Sequence, residues 1–196
     1  MSSDARQRLV VGTMQLLARR GLGGTSFADV VELTGAPRGS IYHYFPGGKD
    51  ELVQAAIDLA NENALTALSP ASGKPVTEVT KQFLGMWREL LARSSFTAGC
   101  SVLAVTVAAE SAGLIDHAGE IFRRWRRDLA GHLTTAGLGP DTADAAATFL
   151  IAASEGAVVL ARAERSMEPF NVVSTQLLSY MRQLENEADT IEAETT

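Results

Sequence analysis

The chain has 196 residues, enough for one domain or a compact pair, and its 46% hydrophobic and 20% charged content is typical of a globular protein. No apolar run approaches the roughly 18 residues that a membrane span needs, no secretory leader is expected, and the one cysteine allows no internal disulfide. We therefore expect a cytoplasmic protein without a membrane partner, and the net charge of −6 argues against a general nucleic-acid coat.

The charge is unevenly distributed along the chain. Residues 1–50 hold six basic against four acidic residues, whereas residues 51–196 hold eleven basic against nineteen acidic ones. This imbalance suits a DNA contact confined to a small N-terminal module, although a solvated charged face would give the same counts.

Helical periodicity of the apolar residues predicts four helices in the first third of the chain. The first ends at Gly21, and the second begins after Thr25 or Ser26 as N-cap and stops at Gly35. Pro37 suits the first turn of the third helix, and acidic residues favour the start of the fourth. The predicted helices cover residues 4–20, 27–33, 38–45 and 49–65.

A loop rich in Ser, Pro and Gly at residues 69–75 marks the predicted domain boundary. Five further helices are predicted beyond it, at about 76–90, 100–111, 116–135, 141–163 and 168–184. Strand alternation is absent from the sequence, so the expected fold is all-α with about nine helices. We expect a helix-turn-helix DNA-binding domain at 4–64, a sensing and dimerisation domain at 76–185, and an acidic, disordered tail at 186–196.

The second and third helices are short and are joined by a tight turn at Gly35-Ala36-Pro37, which is the pattern of a helix-turn-helix. In that motif the second helix enters the major groove of double-stranded DNA. Ile41 and Phe45 are four residues apart on this helix, so both can be buried against the helices behind it.

The rest of the third helix then forms an unusual surface. Ser40, His43 and Tyr44 are predicted to point outward, with Tyr42 beside them. Neutral donors and aromatic rings suit base edges, thymine methyl groups and phosphate oxygens, whereas a solvated helix normally presents Glu and Lys. An amphipathic hairpin with aromatic packing is the alternative interpretation.

The stretch from residue 25 to residue 53, TSFADVVELTGAPRGSIYHYFPGGKDELV, resembles the DNA-binding domain of the TetR family of bacterial regulators. The resemblance covers about residues 4–64, and Gly47-Gly48 departs from it where many members carry Ser or Asp. It implies a set of residues at or near DNA, to which we add the neighbouring glycine: Thr25, Ser26, Arg38, Gly39, Ser40, Tyr42, His43, Tyr44 and Lys49.

The C-terminal two thirds resembles the LmrA/YxaF-like subgroup of that family more loosely, in segments such as 98–104 and 155–162. Large apolar side chains on its middle helices could line a cavity, although a filled core would explain them equally well. The resemblance favours a pocket for a small hydrophobic or aromatic effector. The predicted pocket residues are Phe83, Met86, Trp87, Cys100, Leu103, Val107, Phe122 and Trp125.

In this family the last two helices usually form a four-helix interface with a second copy, and small and apolar residues here permit it. The alternative is that this face packs only within its own chain. The predicted homodimer interface comprises Phe149, Leu150, Ala153, Gly156, Ala157, Leu160, Val173, Leu177, Tyr180 and Leu184.

The resemblance implies a dimeric repressor that leaves a palindromic operator when it binds its effector, without a cofactor or metal. A lone Cys100 could be a redox switch but is more typical of core filling. A small helical enzyme and a helical interaction module without a DNA role are the other hypotheses. The sequence offers the enzyme no nucleophile–base pair, and the polar aromatic face around His43 argues against the module.

Overall fold

The computed structural model describes the backbone of residues 2–195 and the side chains of residues 4–37 and 39–190. Over that range the fold is all-α, as predicted, with nine α-helices and no strand. The helices are α1 (Ser2–Arg20), α2 (Phe27–Thr34), α3 (Arg38–Tyr44), α4 (Lys49–Leu68), α5 (Val76–Arg93), α6 (Ser101–Thr106), α7 (Ala112–Thr135), α8 (Pro140–Glu164) and α9 (Glu168–Thr195), with a 3₁₀ turn at Ser69–Ala71.

Two neighbouring helices differ in length from the prediction. The predicted helix at 100–111 is shorter, because α6 ends at Thr106. The next helix begins earlier than predicted, since the Ser111 carbonyl already accepts the backbone N–H groups of Leu114 at 3.1 Å and Ile115 at 3.2 Å. Gly113 lies in this first turn, where its flexibility is least harmful to a helix.

The acidic C-terminal segment differs more clearly. Its composition predicts a disordered tail, yet α9 continues through it to Thr195, while Thr196 lies outside the described residues. Bonds along the helix support this extension: the Gln183 amide donates to Glu187 at 3.0 Å and the Thr190 hydroxyl to the Asn186 carbonyl at 2.8 Å. Composition therefore underestimated the helix, whose polar residues can satisfy one another one turn apart.

The described chain forms two compact units. Unit 1 runs to Asn63 and also contains Ala98–Phe122, and unit 2 contains Ala64–Thr97 and the residues from Arg123 onward. The division thus falls inside α4, before the loop at 69–75, and residues 98–122 group with the N-terminal helices rather than with the predicted C-terminal domain. The cause is that α6 packs on α1, next to a backbone bond from Gly99 to Ala18 of 2.9 Å.

Unit 1 is built around α1, which packs on α2 and α3. Their apolar faces meet in one cluster, because the predicted i, i+3, i+4 spacing places these residues on one side of each helix. The buried members are Leu9, Val10, Leu16, Val30, Ala36, Ile41, Phe45 and Leu52. Burying a side chain of this size stabilises the fold by about 1.5–3 kcal/mol, so the cluster fixes the orientation of α3.

Unit 2 is a layer of long helices in which α9 packs on both α5 and α8. The apolar residues at the centre of this packing, Phe170, Leu150 and Leu177, are almost fully buried. By length and mean hydropathy (1.5) α8 would qualify as a membrane span, but half of that window is buried within the protein. Such burial is typical of a core helix, because a span in lipid needs its apolar surface outside.

Candidate nucleic-acid interface

The start of α2 is held by a reciprocal capping box. The Ser26 hydroxyl accepts the Asp29 backbone N–H at 3.2 Å, and the Ser26 backbone N–H donates to the Asp29 carboxylate at 2.9 Å. The Ser26 hydroxyl and backbone N–H together hold the pKa of the Asp29 carboxyl below its usual value, and Arg20 at 3.3 Å acts in the same direction. Ser26 is exposed, and its hydroxyl already serves this cap.

The predicted role of Thr25 at the DNA surface needs correction. Its side chain is buried, and its hydroxyl donates to the Gly21 carbonyl at 2.8 Å. Its backbone N–H donates to the Leu22 carbonyl at 3.3 Å. Both donors are therefore used to close the turn between α1 and α2, which leaves Thr25 a structural role.

The turn between α2 and α3 depends on Gly35. This residue has φ 65° and ψ 14°, a left-handed conformation that residues with a Cβ adopt reluctantly, and its N–H donates to the Val31 carbonyl at 2.9 Å. Ala36 is buried directly after it, and Pro37 precedes the first residue of α3 in an extended conformation. The turn thus ends α2 and redirects the chain within two residues.

The inner and outer faces of α3 are sharply separated. Ile41 and Phe45 are 1% and 0% exposed, as their spacing predicts. Tyr42 is 68% exposed, and His43 and Gly39 are exposed as well. A Cβ added at Gly39 would meet nothing within 4 Å, so the surface there is open to a close approach from outside.

Three other predicted residues of this helix are placed differently. Tyr44 is half-buried against the apolar cluster rather than pointing outward, because the helix is too short to expose four consecutive residues. Ser40 is half-buried and its hydroxyl donates to the Pro37 carbonyl at 2.6 Å. The side chain of Arg38 lies outside the described residues.

An aromatic contact fixes the exposed ring of Tyr42. The Phe27 ring at the start of α2 meets it edge-on, with centroids 5.5 Å apart and planes at 88°. The sequence analysis did not single out Phe27, although an aromatic residue directly after an N-cap was the available signal. The contact limits the rotamers of Tyr42 before any partner binds.

Lys49, at the first turn of α4, is exposed and its ammonium group donates to the Leu22 carbonyl at 3.0 Å. Further N–H donors of the same group face solvent, since an ammonium carries three. The Gly47 backbone N–H, one of the amides near the start of α4, donates to the Glu51 carboxylate at 2.8 Å. A carboxylate therefore occupies part of the position at which phosphate binding to backbone amides was expected.

The predicted pocket residues are divided between the two units. Unit 2 holds the buried Phe83 and the half-buried Met86, Trp87 and Trp125, whereas unit 1 holds Cys100, Leu103, Val107 and Phe122. Val107 is 74% exposed, so it lies at the surface of its unit. The Cys100 sulfur accepts the Leu103 N–H at 3.3 Å and caps α6. A groove on α9, lined by Gln183, Asn186, Glu187 and Thr190, shares no residue with the predicted set.

The predicted interface residues on α8 and α9 fall into two groups. Leu150, Ala157 and Leu177 are at most 2% exposed, so they belong to the core of their own unit and offer no surface to a second copy. The others keep part or most of their surface: Phe149, Ala153, Gly156, Leu160, Val173, Tyr180 and Leu184. Val159 and Val172 are also about half exposed, at 51% and 58%, and were missed by the sequence analysis.

No group of three or more metal-ligating side chains occurs among the described residues. The capped α2, the left-handed glycine turn and the polar aromatic outer face of α3 define a helix-turn-helix unit of a DNA-binding regulator.

Comparisons with known proteins agree with this class. Residues 9–56 match the model of bacterial regulatory proteins of the tetR family, and residues 75–176 match the LmrA/YxaF-like transcriptional regulator C-terminal domain. The chain therefore belongs to the TetR family and is a DNA-binding transcriptional regulator, not an enzyme.

Relatives of full length support the assignment. An uncharacterised HTH-type transcriptional regulator of Mycobacterium tuberculosis is 36% identical over 179 residues, covering 88% of this chain and 91% of the relative. The regulator LmrA of Bacillus subtilis is 24% identical over 177 residues, covering 88% and 94%. A crystal structure of a TetR regulator from Chloroflexus aurantiacus has a TM-score of 0.78 at 27% identity, covering 93% and 96%.

Proposed function

We propose that the protein is a dimeric repressor that reads a palindromic operator with α3 of each copy. The observation that carries this is the outer face of α3, where Tyr42 is 68% exposed above the buried Ile41 and Phe45. A tyrosine that is held by Phe27 and presented to solvent is suited to a base edge or a thymine methyl group. His43 is exposed next to it and adds a ring donor.

Repression is supported by the naming of a relative. The transcriptional repressor DhaR of a Mycobacterium species is 26% identical over 202 residues, covering 95% of this chain and 98% of the relative. A helix-turn-helix protein that covers a promoter blocks transcription without further chemistry. We place this activity in the cytoplasm, where the operator DNA of a bacterial cell is accessible.

The residues proposed to contact DNA are those whose surface is available. They are Gly39, Tyr42 and His43 on α3 for the groove, with Ser26, Ser40, Tyr44 and Lys49 at its margins for the phosphates. Arg38 is retained from the sequence analysis because it begins α3.

The test is a titration of the wild-type protein and the Tyr42→Ala, His43→Ala double variant with a duplex that the wild-type protein selects from a random pool. We expect the double variant to lose discrimination against a scrambled duplex by at least about 30-fold, since each lost base contact contributes roughly 1–3 kcal/mol. Its unfolding midpoint should not change, because both side chains are exposed. Retained discrimination would contradict a role for α3 in reading DNA.

Lys49 provides a separate measure of phosphate contact. Lys49→Ala should weaken binding to selected and scrambled duplexes equally and lower the salt slope by about one unit per chain. Lys74→Ala is the matched control, because Lys74 is an exposed lysine in the loop before α5. Equal effects of the two substitutions would reduce the role of Lys49 to overall charge.

We also propose that a small hydrophobic or aromatic effector releases the protein from DNA. Support within unit 2 comes from Trp87, whose indole N–H is buried without a hydrogen-bond partner. An unpaired buried donor is unfavourable by about 1–3 kcal/mol, and an effector with an acceptor oxygen would satisfy it. A compound that releases the duplex should lose potency on the Trp87→Phe variant, and equal potency on both proteins would contradict this role.

A further inference from the structure

We propose that Arg6 on α1 binds a DNA phosphate beside α3 and forms a second anchor of each copy on the DNA backbone. The proposal rests on the proposed role of α3 as the helix that enters the groove. It adds a contact on α1, an element for which the sequence analysis predicted no DNA residue.

The position of Arg6 is set by an aromatic ring. The guanidinium carbon of Arg6 lies 5.1 Å from the centroid of the Phe45 ring, within the range of a cation–π contact. Phe45 directly follows the last residue of α3 and is 0% exposed, so its ring is fixed in the core of unit 1. Arg6 is exposed and is nevertheless held at the C-terminal end of α3.

The charge of Arg6 is uncompensated, unlike that of its neighbours. The adjacent carboxylate, Asp4, forms an ion pair with Arg8 one turn later. Arg20 pairs with Asp29 at 3.3 Å. Among the described residues, Arg6 takes part in no ion pair, so its positive charge faces solvent next to a helix, Arg38–Tyr44, that carries no acidic residue.

The chemistry of a stacked guanidinium favours a phosphate. When one face of the group lies on a ring, its N–H donors still point outward in the plane of the group, where two of them can bind two oxygens of one phosphate. The stacking also restricts the rotamers of a long side chain, which lowers the entropy lost on binding. A lysine would keep the charge but lose both the planar fork and the stacking.

The test compares Arg6→Gln with the matched control Arg8→Gln, which removes an equal charge that Asp4 already neutralises. Binding of each full-length variant to the selected duplex and to a scrambled duplex is measured between about 50 and 200 mM salt. For Arg6→Gln we expect the salt slope to fall by about 0.9 per chain, with the same proportional loss of affinity on both duplexes. For Arg8→Gln we expect no resolved change in slope.

Arg6→Lys separates a phosphate contact from a packing role. It should retain most of the salt slope while lowering the unfolding midpoint by about 2 °C through the lost stacking. An Arg6→Gln slope equal to that of wild type, or equal to that of Arg8→Gln, overturns the proposal. Binding of the wild-type protein that does not respond to salt would instead overturn the proposed function itself.

Discussion

Gly12 is the residue at which α1 and α2 approach most tightly among the described glycines. A Cβ built there would lie 2.4 Å from the Thr34 methyl carbon, a distance that no real contact tolerates. Thr34 cannot turn away without loss, because its hydroxyl donates to the Val30 carbonyl at 2.7 Å. Glycine is therefore required here for space and not for an unusual backbone conformation.

Gly12→Ala should destabilise the protein even though alanine favours helices. Overpacking of this kind lowers the free energy of unfolding by about 1–3 kcal/mol, which exceeds the gain of roughly 1 kcal/mol in helix propensity. Chemical denaturation followed by circular dichroism measures the difference.

Two controls make the explanation specific. Thr34→Ser removes the opposing methyl group and keeps the hydroxyl, so it should restore most of the stability of the Gly12→Ala protein. Gly85→Ala on α5, where a Cβ would meet nothing within 4 Å, should be neutral or stabilising. A Gly12→Ala protein as stable as wild type would show that the helices separate freely.

Single residues also show how far the sequence could lead. The burial of Ile41 and Phe45 follows from their spacing, because a period near 3.6 decides which side of a helix faces a core. The burial of Thr25 does not follow, since a hydroxyl can bond a local carbonyl or a phosphate and only the fold chooses between them. The stacking of Arg6 on Phe45 joins residues 39 positions apart, and no local pattern encodes such a contact.

At the scale of elements, α8 and α9 form the packed layer of unit 2 and keep an apolar surface outside it. Phe149 and Tyr180 remain 49% and 40% exposed while their rings meet edge-on, with centroids 5.6 Å apart. An exposed aromatic pair on two long helices is typical of an interface, since aromatic side chains dominate the binding energy of protein contacts. We propose a second copy of this chain as its partner.

Phe149→Glu should therefore convert the dimer into a monomer. Burying a carboxylate at the centre of an apolar interface is unfavourable enough to raise the dimer dissociation constant by at least about 30-fold. Sedimentation velocity over a range of protein concentrations measures it. Ile115→Glu is the control, because Ile115 is 41% exposed but lies on α7 in unit 1. A Phe149→Glu protein that remains dimeric would place the interface elsewhere.

The ten predicted interface residues illustrate what elements conceal from the sequence. The helical period groups Leu150 with Phe149 and Leu177 with Tyr180 as apolar neighbours, but it does not show which of them faces the same chain. Two long helices with apolar residues on more than one side can pack internally on either. Tertiary packing of α9 against α5 and α8 makes that choice.

At the scale of the whole molecule, one α3 of seven residues reads too few bases to select a site, and a pair reads a palindrome. The family assignment, the all-α fold and the helix-turn-helix were all accessible from the sequence, because they depend on local signals such as caps, glycines and periodicity. The grouping of residues 98–122 with the N-terminal helices was not, since it depends on contacts distant in sequence.

The most direct measurement is the affinity of the wild-type protein for its selected palindrome and for the same duplex with about five base pairs inserted between the half-sites. The insertion rotates one half-site by about half a helical turn, away from the second recognition helix. If two copies of α3 act at a fixed spacing, affinity should fall to that for scrambled DNA. Equal affinity for the two duplexes would contradict the paired reading of DNA by α3.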